Sequence, residues 1–130
     1  YAVDFDGTLS IDARWPEIGT WNKALGNMLI AEKEKGARII LWTCRSGEAL
    51  EKAVCFCKEN GLEFDAVNAN LPESVKSYGG DTRKVNADYY IDDKNLKIED
   101  VTGRSLDEEY RKRIKMLLEG KSNGKENTDD

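Results

Sequence analysis

Two aspartates near the start of the chain have a spacing that suits cation-dependent acid–base chemistry. The segment Asp4-Phe5-Asp6-Gly7-Thr8 follows a short apolar run that is typical of a buried strand. Side chains alternate along a strand, so Asp4 and Asp6 point the same way and repel each other unless a divalent cation relieves the repulsion. Gly7 permits a sharp turn or a close backbone approach, and Thr8 supplies a hydroxyl that can hydrogen-bond the turn. The segment therefore predicts an acidic strand end that binds a divalent cation.

Polar side chains also follow two later apolar runs. Thr43 and Arg45 come directly after one run, and the pair Asp92-Asp93 comes directly after another. In parallel sheets, ligands bind beyond the carboxyl ends of the strands, where such side chains meet. The sequence therefore predicts one site built from three strand ends.

Histidine is absent from the 130 residues, and this absence excludes several classes of enzyme. Ser-His-Asp and Cys-His nucleophile systems, histidine phosphatases and nearly all catalytic zinc sites depend on an imidazole. The three cysteines, Cys44, Cys55 and Cys57, are odd in number and lack metal-ligand spacing, so we expect reduced structural thiols. Acidic, basic and hydroxyl side chains must therefore carry any chemistry.

The elements that must position these side chains alternate between strand and helix. Apolar runs predict strands at 1–5, 37–42, 63–67 and 87–91, and helical periodicity predicts helices at about 21–35 and 47–60. Polar loops are expected at 9–20 and 68–83. This alternation is typical of a parallel sheet with helices on its faces, so we expect an α/β Rossmann-like three-layer sandwich.

Apolar spacing also predicts the inward faces of the helices and the extent of the domain. The inward residues of the first two helices are Trp21, Ala24, Leu25, Met28, Ala49, Leu50, Ala53, Val54 and Cys57. A last helix is predicted from a capping box at Ser105 and Glu108 to Gly120, and its apolar stripe is Tyr110, Ile114, Leu117 and Leu118. We therefore expect one domain over 1–120 and a polar, disordered tail over 121–130. The chain has neither a membrane-spanning run nor a signal-peptide pattern, which favours a cytoplasmic protein.

The motifs, taken in order, resemble those of the haloacid dehalogenase superfamily over roughly residues 1–96. Phosphatases of that superfamily carry Asp-x-Asp-Gly-Thr after the first strand, which matches residues 4–8. A hydrophobic strand that ends in Thr or Ser matches Ile39-Ile40-Leu41-Trp42-Thr43. A lysine ahead of the last motif matches Lys84, beside Arg83, and an apolar strand that ends in paired acids matches Tyr90-Ile91-Asp92-Asp93. The resemblance implies a phosphomonoester hydrolase, that is, a phosphatase.

The resemblance also implies a role for each matched catalytic residue. Asp4 is expected to be the nucleophile that forms an aspartyl-phosphate intermediate. Asp6 is expected to protonate the leaving oxygen and later to deprotonate the hydrolytic water. Lys84 and the hydroxyl of Thr43 are expected to bind the phosphoryl oxygens and to stabilise their charge.

Mg²⁺ is the cofactor that the resemblance implies. Its expected ligands are Asp4, Asp92 and the backbone carbonyl of Asp6, and Asp93 would reach the metal through water or position Lys84. A divalent cation cancels the repulsion between a phosphate dianion and the carboxylate that attacks it.

The spacing of the motifs leaves no room for a cap domain of about 50 residues or more, so the resemblance is to capless members of the superfamily. Arg45, in Thr-Cys-Arg-Ser-Gly, is similar to the Thr-x-Arg of capless members that include polynucleotide phosphatase domains, and it would clamp a phosphate of the substrate. A salt bridge to Glu48 or Glu51 is the alternative for Arg45. Trp15, in the first gap, either contacts the substrate or anchors packing.

Three functions remain open from the sequence. The first is hydrolysis of a small phosphorylated metabolite such as a sugar phosphate or a nucleotide. The second is removal of phosphate from nucleic-acid ends, which Arg45 favours and the net charge of −5 opposes. The third is a non-enzymatic phospho-acceptor or binding module, although a receiver domain carries an acid where this chain has Asn68. The sequence specifies neither the substrate nor the oligomeric state, and no membrane partner is expected.

Overall fold

Strands and helices alternate along the chain, and the computed structural model describes residues 1–102 and 106–122. The strands are β1 (Ala2–Val3), β2 (Ser10–Ile11), β3 (Thr20–Trp21), β4 (Ile40–Leu41), β5 (Ala66–Val67) and β6 (Tyr90–Ile91). The helices are α1 (Lys23–Glu34), α2 (Gly47–Glu59), α3 (Pro72–Tyr78), α4 (Ile98–Thr102) and α5 (Leu106–Ser122). Contacts divide the chain into two compact units, Tyr1–Asp93 and Lys94–Asp130, and every predicted site residue belongs to the first.

The central sheet has the strand order β5-β4-β1-β6, and neighbouring strands are parallel. Ala2 of β1 lies opposite Ile40 of β4 on one side and opposite Tyr90 of β6 on the other. Because the strands run the same way, their carboxyl ends lie at one edge of the sheet. The predicted α/β architecture with a central parallel sheet is confirmed.

The two faces of the sheet are buried against different parts of the chain. One face packs on α1 and α2, and the buried residues of this cluster are Val3, Phe5, Leu9, Leu29, Ile39, Leu41, Ala53, Cys57 and Leu62. On the other face the buried residues are Ala2, Ile40 and Val85. Successive side chains of a strand point to opposite faces, so burial on both sides explains why β1 and β4 lie within continuous apolar runs.

The predicted inward face is confirmed for α2 and is partly wrong for α1. All five predicted inward residues of α2 are buried or half-buried, whereas Ala24 and Met28 of α1 are exposed. Gly26 is buried instead, because the indole of Trp21 lies where a Cβ of Gly26 would be. This contact turns the buried stripe of α1 toward Gly26 and Leu29.

Both segments that were expected to be loops contain regular structure. β2 and β3 pair as an antiparallel hairpin, and residues 12–19 between them are called the flap below. α3 lies within 68–83; it begins at Pro72 and ends at Tyr78, and Gly79 directly after it has a φ of +78°. Proline in a first turn and a left-handed glycine after the last turn are both signals of helix ends.

The second unit contains α4 and α5. The predicted stop at Gly120 is wrong, since α5 continues to Ser122 and a glycine costs a helix only about 1 kcal/mol relative to alanine. Ser105, the predicted N-cap, and residues 123–130 of the expected tail lie outside the described residues. The predicted apolar stripe of α5 is at least 41% exposed. Among the described helices, none has the length and apolar character needed to cross a bilayer.

Candidate functional site

Three of the predicted metal ligands meet where β1 and β6 end. The backbone amide of Asp4 donates a hydrogen bond to the carbonyl oxygen of Ile91 at 2.9 Å. Extending the β1–β6 register by one residue places Asp4 opposite Asp92 on the same face of the sheet. Carboxylate oxygens of Asp4, Asp92 and Asp93 all lie within 4.8 Å of one another, and we call these three residues the acidic cluster.

The turn that follows Asp4 is fitted closely to Asp93. The hydroxyl of Thr8 donates to Asp4 Oδ2 at 3.1 Å and accepts a hydrogen bond from the Asp93 amide at 3.2 Å. Gly7 has a φ of +79°, and a Cβ at this position would overlap the carboxylate of Asp93. Glycine alone tolerates both this backbone conformation and this approach. The Gly-Thr part of the motif thus holds the ends of β1 and β6 together.

The surroundings of Asp4 disfavour its negative charge. Burial, followed by the charge of Asp92, raises the pKa of Asp4 from its ordinary 3.8 to about 6. The hydrogen bond from Thr8 acts in the opposite direction and is outweighed. An ionised cluster is therefore under electrostatic strain that a bound cation would relieve.

Asp6 is not part of the acidic cluster and pairs with Arg45 instead. The guanidinium donates from Nε to Asp6 Oδ2 at 2.9 Å and from Nη2 to Asp6 Oδ1 at 2.8 Å. The side chain of Asp6 is 36% exposed, whereas that of Arg45 is 1% exposed. The structure thus presents the Asp6 carboxylate at the surface in an orientation that Arg45 determines.

The side chain of Arg45 is almost fully buried and contacts protein groups around its guanidinium. Its remaining hydrogen bonds go to backbone carbonyl oxygens of Pro16, Glu17 and Ala49. The rings of Phe5 and Trp15 each lie 4.9 Å from its guanidinium carbon. Such a side chain is not placed to clamp a substrate phosphate, so we assign Arg45 a positioning role instead.

The predicted alternative for Arg45, a salt bridge with the next helix, is also corrected by these contacts. Glu48 pairs with Lys52 at 3.5 Å, whereas Arg45 pairs with Asp6. Asp6 and Arg45 are 39 residues apart in the chain, and they meet because the carboxyl ends of β1 and β4 are adjacent in the sheet.

Thr43 follows β4 and lies in a tight loop with Arg45. Its hydroxyl oxygen accepts a hydrogen bond from the Arg45 amide at 3.1 Å, so its hydroxyl hydrogen can be donated to another group. The half-buried side chain is therefore compatible with the predicted donation to a phosphoryl oxygen.

Asn68 holds this loop in place, a role that the sequence pattern does not predict. Its Oδ1 accepts from the Thr43 amide at 2.8 Å, and its Nδ2 donates to the Arg45 carbonyl at 3.3 Å. Its φ of +50° is a left-handed conformation that asparagine tolerates better than most residues. The available signal was an asparagine at the end of an apolar run, where the other strands carry Asp4 and Thr43.

Asn70 plays a similar part for the segment that carries Lys84. The buried side chain accepts from the Asn86 amide at 2.7 Å and donates to Asp81 Oδ1 at 2.7 Å and to the Thr82 carbonyl at 3.2 Å. These bonds tie both ends of the segment 81–86 to the end of β5. Asn68 and Asn70 together connect β5 to two of the predicted substrate-binding segments.

Lys84 lies over the ring of Tyr90, which comes two residues before Asp92. Its ammonium is 5.2 Å from the ring centroid of Tyr90. Tyr90 and Asp92 are two positions apart and share a face of the sheet, which separates them by about 7 Å along the strand. The predicted contact of Lys84 with a phosphoryl group therefore requires the side chain to extend from Tyr90 toward Asp4.

Among solved structures, the chain is similar to a conserved protein from Bacteroides thetaiotaomicron. The two share 41% sequence identity with a TM-score of 0.64, and the match covers 73% of this chain and 75% of the other. No protein-family model matches the chain, and neither does any curated protein. The description of the B. thetaiotaomicron protein names no activity, so the site itself must indicate the chemistry.

Proposed function

We propose that this chain, which belongs to the same family as the conserved B. thetaiotaomicron protein, is a magnesium-dependent phosphomonoester hydrolase of the capless haloacid dehalogenase type. The acidic cluster carries this proposal, because Asp4 shares it with Asp92 and Asp93 at the end of two adjacent parallel strands. The order of the motifs supports the same chemistry, with Asp6 two residues after Asp4.

The acidic cluster fits Mg²⁺ by the chemistry of its donors. Three carboxylates offer hard oxygen ligands within 4.8 Å of one another, and the backbone carbonyl of Asp6 would complete the protein's share. Mg²⁺ bound there would neutralise the charge of a phosphate monoester and of the attacking carboxylate. Only part of the coordination would come from the chain, as is usual for Mg²⁺, which keeps several water ligands.

Asp4 is the proposed nucleophile. One of its carboxylate oxygens forms a bond to phosphorus, and the bond from phosphorus to the ester oxygen breaks with its electron pair on that oxygen. With a pKa of about 6, the carboxyl group is mostly ionised at neutral pH. Water then attacks the aspartyl phosphate, which releases inorganic phosphate and restores Asp4.

Asp6 is the proposed general acid and base. It gives a proton to the departing ester oxygen and takes one from the water that attacks the intermediate. A carboxylate offers about four lone-pair positions, so the two bonds from Arg45 leave sites on Asp6 for that proton. Arg45 fixes the direction in which those sites point, which is why we treat it as a positioning residue.

Thr43 and Lys84 are the proposed phosphoryl ligands. The hydroxyl of Thr43 retains its hydrogen for donation, since its oxygen is the acceptor of the Arg45 amide. Lys84 would extend its ammonium from the Tyr90 ring to balance the charge of the phosphoryl oxygens. We propose a small phosphorylated metabolite as the substrate; nucleic-acid ends are the alternative.

Phosphate release in Mg²⁺ and in chelator tests the proposal. The substrates are p-nitrophenyl phosphate, sugar phosphates, nucleoside monophosphates and 3′-phosphorylated oligonucleotides. We expect turnover that requires Mg²⁺ and that Asp4→Asn reduces to the background rate. Asp88→Asn is the matched control, because Asp88 is an exposed aspartate at the opposite end of β6.

Asp6→Asn tests the proposed role of Asp6 as the proton donor to the leaving group. p-Nitrophenolate leaves without protonation, so the variant is expected to retain more of its activity on this aryl ester than on a sugar phosphate.

A folded wild-type protein that binds Mg²⁺ and turns over none of the panel would instead favour the phospho-acceptor or binding-module function.

A further inference from the structure

Trp15 differs from the other tryptophans in its exposure. It is 60% exposed on the flap, whereas Trp21 and Trp42 are half-buried. An indole of this size gains free energy from burial, so a ring held largely in water is an available contact surface.

The flap that carries Trp15 is held by specific bonds. The guanidinium of Arg45 donates to the carbonyl oxygens of Pro16 at 3.0 Å and Glu17 at 3.2 Å. At the far end of the flap, the Gly19 amide donates to Ser10 Oγ at 2.8 Å. The Trp15 ring covers Arg45, with the guanidinium carbon 4.9 Å from its centroid. The ring is therefore presented in a defined place.

That place lies next to the proposed proton donor. The guanidinium of Arg45, which Trp15 covers, donates from Nε and Nη2 to Asp6. The Trp15 ring and the Asp6 carboxylate therefore both contact Arg45. The ester oxygen must come within hydrogen-bond distance of Asp6 to receive its proton. The leaving group therefore departs from phosphorus on the side of the site where Trp15 stands.

We propose that Trp15 is a stacking platform for the leaving group, and that this group is a nucleoside whose base lies on the exposed indole; the inference rests on the proposed function. A base offers the flat π-face that an exposed indole binds best, and the ribose spans the gap between the ester oxygen and the base. The net charge of −5 favours a mononucleotide over a polynucleotide. The substrate class is thus a nucleoside monophosphate.

Paired substrates test this assignment. Turnover of AMP and of ribose 5-phosphate is measured for the wild type, Trp15→Phe and Trp15→Leu, with Tyr78→Leu as the control at an exposed ring on α3. Stacking is worth about 5- to 150-fold per base, so we expect Trp15→Leu to lower kcat/KM for AMP by about tenfold or more. The value for ribose 5-phosphate should stay within about twofold, and Trp15→Phe should recover most of the loss.

Calorimetric binding of AMP and ribose 5-phosphate to Asp4→Asn keeps this test separate from that of the phosphatase activity. AMP should bind more tightly than ribose 5-phosphate, and adding Trp15→Leu should remove the difference. An equal loss for both ligands would show that Trp15 acts only by shielding Arg45, and no loss for either would also overturn the platform. A stronger preference for 3′-phosphorylated oligonucleotides than for AMP would overturn the mononucleotide assignment. If none of these compounds is hydrolysed but binding still depends on Trp15, the platform stands and the phosphatase proposal fails.

Discussion

Arg45 holds both carboxylate oxygens of Asp6 through Nε and Nη2, at 2.9 and 2.8 Å, while its own side chain is 1% exposed. A buried arginine in this geometry orients its partner more narrowly than a lysine could, because its planar fork matches the two oxygens of a carboxylate. The pair therefore joins the end of β4 to the turn after β1 and fixes the proposed proton donor.

Arg45→Ala is expected to lower the free energy of unfolding by about 3–5 kcal/mol, since it leaves a buried cavity and unpaired polar groups. Chemical denaturation measures this loss. Arg38→Ala is the matched control: Arg38 is 45% exposed and pairs with Glu73 at 2.8 Å in contact with solvent, so its loss should be much smaller than that of Arg45→Ala. Equal losses for the two arginines would contradict a structural role for the Asp6–Arg45 pair.

Gly7→Ala is expected to weaken both the fold and the binding of Mg²⁺. The new Cβ would overlap the carboxylate of Asp93. The alanine would also have to adopt a left-handed backbone conformation, which costs about 1–2 kcal/mol by itself. Gly79→Ala isolates the backbone cost, because Gly79 has nearly the same φ and open space around it. Calorimetric Mg²⁺ titration should show a loss of affinity in Gly7→Ala alone, and unchanged affinity would show that Asp93 need not stay where it lies.

The acidic part of the site could be predicted from sequence because its signals are local. An apolar run that ends in acids identifies both Asp4 and Asp92, and parallel strands bring such ends together without further information. The same logic predicted the sheet and the inward face of α2. It failed for α1, where the contact between Trp21 and Gly26 depends on how the hairpin enters the helix.

The partners of Arg45 and Asn68 could not be predicted, since both depend on the three-dimensional course of loops. Arg45 bonds to Asp6 and to the flap at the same time, and nothing in the order of residues shows that Trp15 folds back over its guanidinium. Asn68 bonds to a loop 23–25 residues earlier in the chain. When a polar side chain has several possible partners, three-dimensional packing decides which one it bonds, and the spacing of residues in the sequence does not.

Stability in the absence of metal should depend on pH through Asp4. In the folded protein burial and Asp92 raise the pKa of Asp4 to about 6, whereas the unfolded chain has the ordinary value near 3.8. The folded state therefore binds the proton more tightly, and the free energy of unfolding falls as the pH rises from about 4 to about 6. Asp4→Asn should remove this contribution, so that the variant exceeds the wild type in stability above pH 6 by more than it does at pH 4.5. Mg²⁺ should abolish that advantage at pH 7, and a pH-independent difference between Asp4→Asn and Asp88→Asn would contradict the raised pKa.

Asn70→Ala is expected to loosen the segment 81–86 and to slow turnover. The substitution removes the hydrogen bonds that the buried side chain of Asn70 makes with Asp81, Thr82 and Asn86, and each such bond contributes about 0.5–1.5 kcal/mol. Amide exchange should accelerate at Asn86, whose amide bonds to Asn70, and kcat should fall because Lys84 is no longer held beside β6. Asn27→Ala, on the exposed side of α1, should leave both unchanged. Unchanged kcat in a variant with faster exchange at Asn86 would show that the order of this segment does not matter for catalysis.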